Sequence, residues 1–374
     1  TIEVPVLQTV AVVPDHLRPP VMGRNAGVSA GHPLTSAAAL EVLQNGGNAF
    51  DAGVAALLVG GVVEQDLYSL GGEALVLVYP QSERRVTSVV GQGWAPRDAT
   101  IDWYRQRNKN LNGYGLDPAV VPGALHGALT VLERWGTMTF EEVSARAIEY
   151  AEVGFPLRTR TALSIQRERD FIDQWPDNQR YWYRPDGTTY YPGEIIRLPT
   201  LAATLKKMVD AERSASTQGR VAAIVAARDR FYKGDIAEEM VDFFQENQGD
   251  LTLEDFAAYQ PIWADPIHTT YRGYDVYTSP PTSRGGLEVA MQLNLIEGFD
   301  IAKLGHGSAE GIHLMAEAIK VTKSDIYEYV ADQKFTDVPI SEMLSKEYAF
   351  TRRKLINKEH SVPSPAHGNI ERTT

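Results

Sequence analysis

The 374 residues include no cysteine. Disulfides, thiolate metal sites and a thiol nucleophile are therefore excluded, and covalent catalysis must run through an oxygen, a nitrogen or a carboxylate. The eight histidines are scattered singly. His306 and His313 stand seven apart and can share a helix face, but no carboxylate pair joins them at ligand spacing. They read as capping or packing groups, and no metal or cofactor is expected. There is no G-x-S-x-G elbow, no Walker loop and no H-E-x-x-H helix. Two glycine turns remain. Gly71-Gly72 reads either as a turn needing positive φ or close backbone approach, or as a pocket lining that lets a substrate reach backbone amides. Pro281-Thr282-Ser283-Arg284-Gly285-Gly286 precedes a helix, and helix N-termini favour anionic groups. Thr373 and Thr374, taken alone, read as the polar end of a loop.

These turns need elements to hold them. After an irregular start, Ser36 to Asn45 carries an apolar stripe at Leu40 and Leu43 and stops at Gly46-Gly47, which predicts an amphipathic helix. Asp51 to Val63 is almost wholly Ala, Gly, Val and Leu, and predicts a core helix covered all round. Ala74 to Tyr79 and Arg85 to Val90 flank Pro80-Gln81-Ser82-Glu83 as a hairpin. The middle of the chain is helical by pattern, with Leu125 to Trp135, Phe140 to Val153, Leu198 to Met208 and Ile236 to Phe244 as helices. Ile267 to Tyr271 and Tyr274 to Thr278 form a second hairpin around Arg272-Gly273. Helices resume at Gly286. Beyond Ser308, a plausible N-cap, Ile312, Met315, Ala316, Ile319, Ile326, Tyr327 and Val330 approximate helical spacing. The residues after Glu359 are loop-like.

A composition of 43% hydrophobic and 22% charged residues is that of a globular chain able to bury a large core. The net charge of -12 argues against a nucleic-acid partner, which would need concentrated Lys and Arg. The longest apolar stretch, Ala52 to Val63, falls short of the roughly 20 residues that span a bilayer, so no membrane span is expected. Thr1 follows no initiator Met and no basic-then-apolar leader, and localisation cannot be read from this end.

Taken together, Ala30-Gly31-His32-Pro33-Leu34-Thr35-Ser36 and Asn45-Gly46-Gly47-Asn48-Ala49-Phe50-Asp51-Ala52 resemble the opening helix and G-G-N-A-x-D-A signature of the gamma-glutamyltransferase family. Shorter matches follow in the family's order at Leu70-Gly71-Gly72, Val121-Pro122-Gly123, Ala147 to Ala151 with Gly154-Phe155, and Phe231 to Gly234. Leu253-Glu254-Asp255 with Ala258-Tyr259, and Tyr271 to Tyr274, continue the series. The resemblance runs from about Gly27 to Thr374.

This resemblance implies an α/β fold, the four-layer αββα sandwich of N-terminal-nucleophile hydrolases, made as one precursor that cuts itself into a large and a small subunit. It divides the chain into an irregular segment 1–26, a large-subunit part 27–358 and a tail 359–374 leading to the cleavage site. The implied partners are the small subunit from the same precursor and a small-molecule amide substrate. The implied nucleophile is the threonine freed by the cut. Thr373 is the candidate, with Arg372-Thr373 as the scissile bond; Thr374 and a residue following it are the alternatives. A freed α-amine, with an ordinary pKa near roughly 8, can take the hydroxyl's proton.

One position departs from the pattern. In the gamma-glutamyl enzymes, a Phe-Arg-Glu-like triplet before an Ala-Pro pair supplies an arginine for the substrate's α-carboxylate. Here the run is Gly91-Gln92-Gly93-Trp94-Ala95-Pro96, and Gln92 stands in that place. The missing charge-assisted contact is worth roughly 1.5 to 3 kcal/mol, about 10- to 150-fold in affinity. Arg97, Arg284 or a residue of the small subunit could compensate, the flanking glycines should widen the pocket, and Trp94 is either a core ring or a stacking surface for an acyl group. A non-glutamyl amide hydrolase of the same fold, or a binding protein that has lost maturation, are the rival readings.

Overall fold

The computed structural model describes residues 21–109 and 113–370. Thr373 and Thr374, and most of the segment 1–26, lie outside the described residues. Residues 21–32 form no helix or strand.

The first helix, α1 (Pro33–Gln44), begins three residues earlier than the apolar stripe predicts. The His32 ring accepts from the Leu34 amide, and Pro33 fits the first turn, where its absent N–H costs nothing. In α2 (Ala49–Val63), Asn48 and Asp51 form a reciprocal capping box. Leu58, Val59 and Val62 are fully buried, each such burial contributing roughly 1.5 to 3 kcal/mol. Coverage is not complete, however. Gly53 is exposed and Leu57 half-buried, and with Val76, Val78, Tyr79 and Val131 they line an apolar groove of about 270 Å³.

Asp51 explains why the G-G-N-A-x-D-A run sits where it does. Its carboxylate accepts from the amides of Asn48, Thr137 and Met138 and from the Thr137 hydroxyl, at 2.8 to 3.1 Å. Asn48 Nδ2 donates to Trp135 O at 2.7 Å. The signature is thus a joint that ties the start of α2 to the turn between α3 (Ala124–Trp135) and α4 (Phe140–Val153).

Strands β1 (Ala74–Val78) and β2 (Thr87–Gly91) pair antiparallel with Val76 opposite Val89, as the predicted hairpin requires. β3 (Ile262–Ala264) joins the other edge of β2, so β2 is central and fully buried. Helices α5 (Pro199–Ala215) and α6 (Arg220–Lys233) cover the middle of the chain. The second hairpin, β4 (Ile267–Tyr271) and β5 (Tyr274–Thr278), has the predicted bounds. It packs with α7 (Arg284–Ile296), α8 (Ala309–Tyr329) and α9 (Lys346–Arg353), which form apolar clusters of their own, apart from the main core. Mixed helix and sheet content is as expected.

Of the apolar positions read along α8, Ile326 is buried as expected, but most of the others face outward. Ile312, Met315, Ile319 and Tyr327 are exposed. The buried face instead mixes Leu314, Ala318 and Val321 with Glu317, Thr322 and Asp325.

Candidate active site

β2 ends by running into Gly91-Gln92-Gly93-Trp94, and this run forms one wall of a cleft of about 1160 Å³. The other walls come from Pro281–Arg284, ahead of α7, and from residues 330–335, which follow α8. The loop therefore lies where three separately folded elements converge.

Its path is fixed by contacts that only glycine permits. A Cβ on Gly91 would lie 2.7 Å from Gly123 O, and one on Gly93 would lie 2.0 Å from Val121 O. The glycines flanking Gln92 thus serve close packing against the segment entering α3. Gly93 also lines the cleft. Val121 N donates to Trp94 O at 3.0 Å and completes the seam. Tyr259 Oη donates to Gln92 O at 3.1 Å. Burial holds the Tyr259 phenol far above its usual pKa, so it remains a donor. No hydrogen bond engages the Gln92 carboxamide among the described residues, and it faces the cleft as a neutral donor and acceptor.

Behind this loop lies His126, buried against the rings of Tyr232 and Tyr259. Neither ring nitrogen has a hydrogen-bond partner among the described residues. Burial, with a smaller contribution from Arg228, pushes its pKa down to about 3. It is a neutral packing group.

The cations considered as substitutes for an arginine at position 92 are already engaged. Arg97 Nη1 lies 2.7 Å from Glu254 Oε1, in an exposed pair, while its amide donates to Asp255. Arg284 approaches Glu288 at 3.8 Å and lies over the Tyr327 ring. Lys334, which sequence reasoning passed over, sits on the cleft wall with Nζ 4.3 Å from the Trp94 ring centroid. A lone lysine in a loop carries no signal in sequence. Trp94 is half-buried, edge-on to Tyr259, and its Nε1 has no partner among the described residues. It is a core-flanking ring with one face on the cleft.

Gly71 and Gly72 are not brought to this wall, although Glu73 is. Neither is at positive φ. Gly72 O accepts from the amides of Gly123 and Ala124 at 3.0 and 2.9 Å, capping the start of α3. At the start of α7, Ser283 makes no side-chain cap, so the first amides there have no side-chain acceptor. Gly286 is forced by close approach, since a Cβ there would meet Ser279 O at 2.1 Å. His313 Nε2 lies 2.8 Å from Asn357 O, a contact between α8 and the turn after α9. Among the described residues no three His, Asp or Glu side chains are grouped to hold a metal ion, and no helix is long and apolar enough to cross a membrane.

The sequence model of gamma-glutamyltranspeptidase matches residues 35–374. The chain belongs to the gamma-glutamyltranspeptidase family. It is 32% identical over 330 residues to the glutathione hydrolase-like YwrD proenzyme of Bacillus subtilis (strain 168), covering 88% of this chain and 59% of that one. It is also 32% identical over 354 residues to the acylase ACY 1 proenzyme of Pseudomonas sp. (strain SE83), covering 91% and 60%. The crystal structure of Helicobacter pylori gamma-glutamyltranspeptidase superposes with a TM-score of 0.82 at 27% identity, over 92% of this chain and 95% of that one. The chain spans about three-fifths of the length of these curated relatives.

Proposed function

We propose that this chain is the larger part of an amide-bond hydrolase or acyltransferase whose nucleophile is a threonine released by self-cleavage at or next to Thr373. The observation that carries the reading is the family match from residue 35 to residue 374, which extends through both threonines. The proenzyme names of the relatives are consistent with a precursor that matures by cutting. In this reading the remainder of the precursor, a small subunit, completes a four-layer αββα sandwich and closes the cleft beside Gln92.

The chemistry follows from the residue type. A threonine hydroxyl is a weak nucleophile until its proton is removed, and the freed α-amine of the same residue is the base. The oxygen adds to the substrate's amide carbonyl, backbone donors hold the oxyanion, and the amine leaves with a proton. The acyl-enzyme then passes to water, giving hydrolysis, or to an amine, giving transfer. Gln92 and Trp94 would contact the acyl part, and no cofactor is needed.

A second reading, a non-glutamyl acylase, is favoured by Gln92 and by the likeness to the acylase ACY 1 proenzyme. Without a cation at position 92 the cleft loses the charge that selects a glutamate-like end. Intact mass and N-terminal sequencing of every polypeptide in the purified full-length protein test the main reading. A fragment beginning at Thr373, Thr374 or the residue after supports it, and one uncut chain overturns it. Assay of a gamma-glutamyl anilide beside simple acyl-amides separates the two substrate readings.

A further inference from the structure

The buried polar face of α8 has a physical purpose that neither the core nor the cleft requires. Its side chains hold the irregular stretch 361–370. Glu317 accepts from the Val362 amide at 3.1 Å, and Lys320 Nζ donates to Val362 O at 2.6 Å. Two turns on, Asp325 Oδ1 accepts from the Gly368 amide at 2.8 Å. Asp325 is itself locked by Arg352 Nε at 2.9 Å, in a pair buried on both sides, and Arg352 Nη2 donates to Ala366 O at 2.6 Å. At the end of the helix, the buried Tyr329 hydroxyl donates to Gly368 O at 2.6 Å and accepts from the Ile370 amide at 3.0 Å. Glu317, Lys320, Asp325 and Tyr329 recur at helical spacing on one side of α8.

Gly368 fits this track for a steric reason. A Cβ there would lie 2.2 Å from the Tyr348 hydroxyl. Ile370 is then buried in the cluster with Ile267, Leu287 and Met291. Four backbone groups between 366 and 370 are thus matched by three side chains, in a segment with no regular partner.

We propose that Tyr329 is a positioning residue for self-cleavage, holding the backbone at Gly368 and Ile370 so that the bond before the nucleophilic threonine is presented to its hydroxyl. The inference rests on the reading given under Proposed function. In the step concerned, the threonine hydroxyl adds to the preceding carbonyl carbon. The C–N bond breaks as the nitrogen takes the hydroxyl's proton, and water then cleaves the ester. A carboxylate is left upstream, with a free hydroxyl and amine downstream.

The test uses the full precursor. Conversion of one polypeptide to two is timed for the wild type and for Tyr329→Phe, with melting temperature measured in parallel and kcat and KM measured on the matured forms. Timed at a temperature where both precursors are fully folded, losing the two hydroxyl contacts should slow cleavage about tenfold and leave the matured enzyme's constants at wild-type values, alongside a lower melting temperature. Cleavage at the wild-type rate overturns the inference, as does an equal loss of kcat in the matured form, which would mark a general structural defect. Should Tyr329→Phe fail to fold, Gly368→Ala displaces the same backbone from the loop side. It should also slow the cut, and a wild-type rate in that variant is equally fatal. A wild-type precursor that never cuts beside either threonine instead sinks the underlying reading.

Discussion

Tyr259 reaches from the end of the short helix Leu253–Ala258 to donate to the main-chain oxygen of Gln92 at 3.1 Å. The contact holds the backbone at position 92 from behind, while the seam of Gly91 and Gly93 against Val121 and Gly123 holds it from the side. Side-chain identity at position 92 can therefore change without moving the loop.

Gln92→Arg should bring a cation to the cleft on an unchanged backbone. The ratio of kcat/KM for a gamma-glutamyl anilide over a neutral acyl-anilide should rise about 10- to 150-fold, the worth of a charge-assisted contact. Lys334, on another wall of the same cleft, is a like charge and will hold the gain toward the lower end. An unchanged ratio would remove Gln92 from the acyl-binding wall.

His126 should make the protein acid-sensitive. Its folded pKa is pushed down to about 3, by burial first and by Arg228, with Asp229 opposing and Lys233 adding slightly. In the unfolded chain it titrates near roughly 6.5. Between these values the unfolded state binds more protons, so stability is full above about pH 6.5 and falls as pH drops toward 3. The slope is up to about 1.4 kcal/mol per pH unit. His126→Phe keeps a ring against Tyr232 and Tyr259, breaks no side-chain hydrogen bond, and should flatten this limb. Urea midpoints at pH 7.5, 5.5 and 4 measure it, and parallel curves for the two proteins would rule the contribution out.

Asp51→Ala should destabilise the fold by on the order of 3 to 5 kcal/mol, because the donors of Asn48, Thr137 and Met138 lose a shared buried acceptor. Denaturant unfolding of the variant checks this. A loss below about 1 kcal/mol would mean that the joint between α2 and the α3–α4 turn is held by other contacts.

Both hairpins and the helix Phe140–Val153 were legible in the sequence because each carries its own punctuation. Arg272 and Gly273 adopt positive φ between β4 and β5, and Thr139 with Glu142 caps α4. α6 escaped pattern reading because charged residues interrupt its stripe. Arg220 donates to the carbonyls of Leu132, Glu133 and Met138, a role no periodicity reveals. α8 misled for the opposite reason. Its buried face must bind backbone and so carries Glu317 and Asp325, while its exposed face carries Ile312 and Met315. At the cleft, Gln92 could be located from the family's order of motifs. Lys334 could not, since only the tertiary path of residues 330–335 brings it to Trp94.

The groove between α2 and β1 bears on handling the molecule in solution. Among the described residues β1 has no neighbour on its outer side, and Leu77 and Tyr79 there are exposed. An uncovered apolar strand edge is a template on which foreign strands pair, and edges are ordinarily blunted by charge. When this stretch is produced by itself, that edge will govern solubility and drive self-association. A single lysine in place of Leu77 is the simplest means of keeping the isolated material monodisperse.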